Sequence, residues 1–272
     1  MSFPPCATDC HRETNGPYVP TERLATLRRI MYPRPGFSTG ATTPRQVLSQ
    51  SWDPAHPQAV ENAIWTEADG RIICGTFHVV GSNNGNAPWG LPGGDRPQVR
   101  EAEVAARVSA NLDQLQQVFA AATAADAAGV LLFQHADMWP AYELATNVSI
   151  DGFDVWVQQL AAHAAAFARP VWLFNGDTHD FMDIAPFTPG AVHPNTADYG
   201  VTDMNLYRIH GETADAPLFR AITLETEEQW DTPEQDSPYA LRLQWEWLEV
   251  ELHPDTEEVF RLVRHPIFKE GA

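Results

Sequence analysis

The sequence predicts an α/β fold organised around a parallel crossover, on three observations. Val130, Leu131, Leu132 and Phe133 form one continuous apolar run, and Val171, Trp172, Leu173 and Phe174 form another. Between them, Phe153 to Ala168 carries Val157, Leu160 and Ala164 at helical spacing. Short continuous apolar runs are the pattern of strands buried on both faces. Strand, helix, strand in that order requires a crossover, which collects the loops after both strands at one edge of the sheet.

The elements upstream follow from local chemistry. Pro4, Pro5, Gly16, Pro17 and Pro20 make the first twenty residues an irregular segment, until Thr21 caps a helix. That helix is expected to run to about Met31, to bury Leu24, Leu27 and Ile30, and to stop before Pro33. Asn62 to Trp65 and Arg71 to Val80 favour strands, joined as a hairpin across Asp69-Gly70. The second of these empties into Gly81-Ser82-Asn83-Asn84-Gly85, a loop suited to close approach to a ligand. From Val99 to about Ala125 the pattern is helical, with Val104, Val108, Leu112, Leu115 and Phe119 along one face.

After His179 the character changes. Tyr207 to Ile209, Leu218 to Leu224 and Leu241 to Leu252 read as strands. The last alternates through Leu241, Leu243, Trp245 and Trp247, then shifts phase to Leu248, Val250 and Leu252, a shift that a β-bulge would absorb. Its tryptophans are expected in the core, and Glu225, Glu227, Glu228, Glu257 and Glu258 on a solvated face. There is no internal repeat and no low-complexity tract.

The chain has 272 residues, is 44% hydrophobic and has no Gly/Ser-rich linker, so 1-272 reads as a single domain. Its 36 acidic residues against 17 Lys and Arg give a formal charge of -19, which opposes binding to nucleic acid or to an anionic membrane. A small phosphorylated substrate stays admissible, because a bound dication reverses the local field. No stretch approaches the roughly 18 apolar residues that span a bilayer, and Met1 to Pro5 is not a signal peptide. The chain as written is expected to be cytoplasmic. Cys6 and Cys10 are close enough for a small disulfide or a metal, though neither is compelled, and with Cys74 they are expected to be thiols or one incidental bridge.

The chemistry lies just past the two apolar runs. The first delivers His135, and the second leads through Asn175-Gly176 to Asp177-Thr178-His179. A lone histidine at a strand end is usually structural. A glycine-hinged turn that then offers a carboxylate and an imidazole two residues apart points instead to metal ligation. The candidate metal ligands are therefore His135, His179 and Asp177, with Asp177 ligating or orienting a ligand. Asn83 and Asn84 are candidates to donate to a phosphoryl oxygen, and His78 to support the site from behind or simply to be buried.

Taken in order, these segments resemble the calcineurin-like metallophosphoesterases, whose later motifs are a lone histidine after one strand and Gly-His-x-His after the next. His135 resembles the first, and Gly176-Asp177-Thr178-His179 resembles the second with aspartate in place of its first histidine. A bacterial branch of that superfamily is more similar still. The likeness runs through Thr8-Asp9-Cys10-His11-Arg12, Glu61-Asn62, His78-Val79-Val80-Gly81-Ser82-Asn83-Asn84 and Asn175 to His179. The resemblance implies a β-sandwich flanked by helices and two divalent metal ions, with manganese, iron and zinc not distinguished. It also implies hydrolysis of a phosphomonoester or phosphodiester by metal-bound hydroxide, with His11 as the acid for the leaving group.

The family's opening Asp-x-His and its Gly-Asp, which supply and bridge the metals, have no counterpart ahead of Thr8. Where the branch carries Gly-Asp-Asn-Glu, this chain reads Phe3-Pro4-Pro5-Cys6, and proline has no side-chain oxygen to ligate a metal. The sequence is thus expected to be the carboxyl-terminal part of such a domain, lacking its first strands, with weak or no activity as written and with export if a leader precedes it. Two other readings stay open: a binding module on a degenerate phosphoesterase fold, and an unrelated hydrolase using one metal on His135, His179 and Asp177.

Overall fold

Alternation inside the strands decides which way each residue faces. In a computed structural model that describes residues 19–39, 43–91, 93–139, 149–177, 182–187, 207–208, 216–217, 219–223, 228–229, 242–243 and 246–266, it produces two hydrophobic layers, one on each face of a single large sheet. Ile73, Val130, Leu132, Val171 and Leu173 enter the layer beneath the helices. Their neighbours Ile72, Cys74, Leu131, Trp172 and Phe174 enter the other.

Among the described residues the sheet has seven strands. In chain order they are β1 (Leu48–Ser49), β2 (Ala63–Glu67), β3 (Ile72–Thr76), β4 (Gly129–Phe133), β5 (Val171–Asn175), β6 (Met182–Ile184) and, after the short pair β7 (Tyr207–Arg208) and β8 (Ala216–Pro217), β9 (Phe219–Thr223). The spatial order is β1-β2-β3-β4-β5-β9-β6. β3, β4, β5 and β9 are parallel, and the outer pairings are antiparallel. The expected hairpin is present, turning through Ala68 and Asp69, both at positive φ. Its second strand stops at Thr76, short of the expected Val80.

Among the described residues, three helices accompany the sheet: α1 (Pro20–Met31), α2 (Pro97–Ala124) and α3 (Asp154–Phe167). β4, α3 and β5 form the predicted parallel crossover. Two details of α1 differ from the sequence reading. Thr21 is not its cap, because the helix begins at Pro20, whose fixed φ suits a first position, after Val19 with no side-chain cap. Leu24 is buried, but Leu27 is only part-buried and Ile30 is 61% exposed, so the expected stripe is covered at its start and not at its end.

The opposite face is covered by a hairpin of β12 (Glu246–Leu252) and β13 (Phe260–Pro266), which follows the short pair β10 (Glu228–Gln229) and β11 (Arg242–Leu243). Leu248, Val250, Leu252, Val259, Phe260 and Leu262 pack from it onto the second layer. The expected strand 241–252 is thus two strands. The proposed bulge and Trp245 fall at residues 244–245, outside the described residues, as does the side chain of Trp247. Glu257 and Glu258 are exposed, as expected. Among the described residues, no helix is long and apolar enough to cross a membrane.

Candidate functional site

The three central strands do not end where their ladders end. Phe77 N donates to Phe133 O at 2.9 Å, Ala136 N to Val79 O at 3.1 Å, Gln134 N to Phe174 O at 3.0 Å and Gly176 N to His135 O at 2.9 Å. Backbone bonding therefore carries the segments after β3, β4 and β5 outward together. Gln134 is fully buried and pins this floor from below, donating to Ala136 O and accepting from the Trp156 indole.

On that floor stand His135 and Asp177. The His135 Nε2 to Asp177 Oδ1 separation is 3.6 Å, with the side chains 22% and 26% exposed. That is too long for a hydrogen bond. It is close to the spacing of two donors on one cation, since ligands about 2.1 Å from a tetrahedral metal lie about 3.4 Å apart. Asp177 adopts φ 80, which turns its carboxylate back over the segment after β3. Gly81 lies directly beneath, where an added Cβ would stand 2.8 Å from Asp177 Oδ2. The glycine is needed here for close approach, and it brings the third loop to the site.

The loop that begins at Gly81 is a left-handed turn. Ser82, Asn83 and Asn84 have φ of 53, 56 and 54, and Gly85 N closes the turn on Gly81 O. Left-handed geometry costs an L residue about 1 to 2 kcal/mol, less for asparagine, so the surroundings must hold it. They do so from two sides. Asn83 donates to Asp151 Oδ1 and accepts from Gly152 N, while Asn84 donates to Gly152 O. Arg107 of α2 donates to both Asn84 Oδ1 and Asn84 O and is itself paired with Glu103. Asp151 is held below the usual carboxylate range, chiefly by hydrogen bonds from Ser149 and Asn83. Both asparagine side chains are thus engaged within the protein.

His78 serves a different region. Its imidazole is 1% exposed, with Nδ1 2.8 Å from Glu61 Oε1, a contact of hydrogen-bond length but poor alignment. Arg28 grips the same carboxylate through Nε and Nη2. Burial pushes the Glu61 carboxyl up, but His78 and Arg28 outweigh it and hold the group at about 2. The His78 backbone is fixed by Asn62 and Asn111, whose Oδ1 atoms accept from its N–H while Asn111 Nδ2 donates to its carbonyl.

The structure therefore brings together His135, Asp177 and the segment at Gly81, commits Asn83 and Asn84 to protein partners, and buries the His78 imidazole beside Glu61. His179 and His11 lie outside the described residues, as do Cys6 and Cys10. Cys74 is a buried free thiol whose ionisation burial opposes. Among the described residues no group of three His, Cys, Asp or Glu is placed to hold a metal.

Sequence reasoning missed the polar stripe on α2. Arg107, Asn111 and Gln114 are all buried, and they recur at four and three residues in line with Leu115 and Val118. That recurrence, continuous with the apolar stripe, was the signal available. Comparison with known proteins gives no match, whether to protein-family models, to curated proteins or to solved structures.

Proposed function

We propose that this chain is a metal-dependent phosphoesterase, in which a divalent cation held by His135 and Asp177, with His179 as a further ligand, supplies the hydroxide that attacks a small phosphorylated substrate. The observation that carries the reading is the His135–Asp177 pair, spaced at 3.6 Å on a floor made by three adjacent parallel strands. Ligands just past the carboxyl ends of parallel strands sit on rigid backbone and face a crevice, as metal chemistry requires. In the finer fold this reading implies, a sandwich of two sheets, the β12–β13 hairpin belongs to the second sheet. The resemblance carried by His78 to Asn84 and Asn175 to His179 supports the same chemistry.

The bridging carboxylates of the resembled family have no counterpart in this sequence, so the reading predicts slow turnover and one metal per chain rather than two. The test is elemental analysis of protein loaded with manganese or zinc, alongside hydrolysis of bis(p-nitrophenyl) phosphate. His135→Ala and Asp177→Asn are each expected to reduce bound metal severalfold. Unchanged stoichiometry in both variants would overturn the proposal. Metal-dependent turnover of carboxylic esters but not phosphoesters would replace it with the mononuclear hydrolase.

A further inference from the structure

A chain of hydrogen bonds runs from α3 to the residue that follows His135. Trp156, in the first turn of α3 and buried, donates its indole N–H to Gln134 Oε1 at 2.9 Å. Gln134 Nε2 donates to Ala136 O at 2.8 Å, so this side chain spans the backbone of His135 from one neighbour to the other. Successive residues of an extended segment face opposite ways. Gln134 accordingly turns inward, fully buried, and His135 outward, partly exposed. The His135 carbonyl accepts from the N–H of Gly176, the residue before Asp177, so the backbone that carries one member of the pair also holds the other.

The indole sets the direction of the amide. An amide side chain fits nearly as well turned end for end, and its partners decide which end faces where. An indole N–H only donates, so it holds the Gln134 oxygen toward α3 and presents Nε2 to the Ala136 carbonyl. Without that donor Oε1 is buried and unpaired, and any rotation that finds it another donor draws Nε2 away from Ala136. We propose that Trp156 and Gln134 are positioning residues for His135, the indole holding the amide and the amide holding the Ala136 carbonyl, so that the imidazole keeps its place beside Asp177. The cation that the pair would hold comes from the phosphoesterase reading, on which this inference rests in that respect alone; the geometry of the pair does not depend on it.

The test compares the full chain with Trp156→Phe, Gln134→Leu and the double variant. Trp156→Phe keeps a ring against Phe77 and removes only the N–H, so it carries the test should Gln134→Leu not fold. The double variant lacks the orphaned indole donor of Gln134→Leu and is expected to regain stability over it, but not the hold on His135. The first readout needs no metal: the imidazole resonances of His135 in histidine-labelled protein, assigned by their loss in His135→Gln. One sharp set is expected in the wild type, and broadened or doubled signals in all three variants. The second is a cobalt titration followed by visible absorption, in which each variant should bind about tenfold more weakly, as when a group that orients a ligand is removed. Wild-type His135 signals in Trp156→Phe would overturn the proposal. So would their recovery in the double variant along with its stability, which is what a merely structural role predicts. Cobalt binding that is absent, or equal in His135→Ala, would overturn the phosphoesterase reading instead, and the metal-free spectra would still decide the role of Trp156.

Discussion

Two histidine–carboxylate pairs stand a short stretch of chain apart and differ in nearly every physical respect. His78 and Glu61 are each 1% exposed and 2.8 Å apart, with Arg28 on the far side of the carboxylate. His135 and Asp177 are partly open to solvent and 3.6 Å apart. The closed pair is a fixed element of the fold, because the buried Glu61 carboxylate depends on the partners around it to stay ionised. The open pair, solvent-facing and beyond hydrogen-bond distance, contributes little by its own attraction. A histidine beside a carboxylate thus gives a closed contact in one place and a solvent-facing one in the other, and burial with spacing makes the difference.

The largest effect expected on the closed side comes from Arg107. Arg107→Ala would strand Glu103, the Asn84 carbonyl and Asn84 Oδ1, three acceptors it now satisfies. A loss of about 3 to 5 kcal/mol in chemical denaturation is expected, as for breaking a buried ion pair from one side. A loss below about 1 kcal/mol, the effect of an ordinary surface change, would mean that the closed network is not structural.

Glu61→Gln comes next, at about 2 kcal/mol, the scale of hydrogen bonds to a charged group. It also carries a pH signature. The Glu61 carboxyl is held at about 2 against an ordinary 4.5, so its stabilisation is complete above pH 4.5 and is lost as pH falls toward 2. Acid titration of stability should be shallower in the variant across that window. Parallel titration curves for the two proteins would count against this assignment.

Gly152→Ala tests the seam between the regions, because a Cβ there would stand 2.2 Å from Asn83 O. The left-handed turn must shift away, at a cost of about 1 to 3 kcal/mol. Faster amide exchange at residues 81 to 85 than in β3 is the expected local mark. The smallest effect on stability belongs to His135→Ala, within about 0.5 kcal/mol, even though bound metal falls. A large loss of stability there would erase the contrast between the pairs.

Much of this was legible in the sequence, for reasons that also explain the gaps. Val130 to Phe133 and Val171 to Phe174 announce their strands because both faces are covered, so no polar residue interrupts them. His135 and Asp177 were found because they sit where those runs stop. Arg107, Asn111 and Gln114 were hidden because residue type alone assigns such side chains to water, whereas here their partners are backbone and side-chain groups of distant segments. The hydrogen bond between Asn62 and Asn111 links residues 49 positions apart and leaves no local pattern. The exposure of Ile30 was likewise invisible, since spacing shows that a helix has a stripe but not which of its residues are covered. The final strand, Phe260–Pro266, also went unread.

The stripe on α2 has one further consequence, which concerns uniqueness rather than stability. A long alanine-rich helix lying on a flat apolar layer has several near-equivalent seats, one turn or 5.4 Å apart. Asn111 fits only opposite the His78 carbonyl and Arg107 only opposite Asn84, so each displaced seat would abandon buried acceptors. Those two residues work as the wards of a lock: they leave one position in which the helix can seat, and they set the height at which the loops after β3 meet those after β4 and β5.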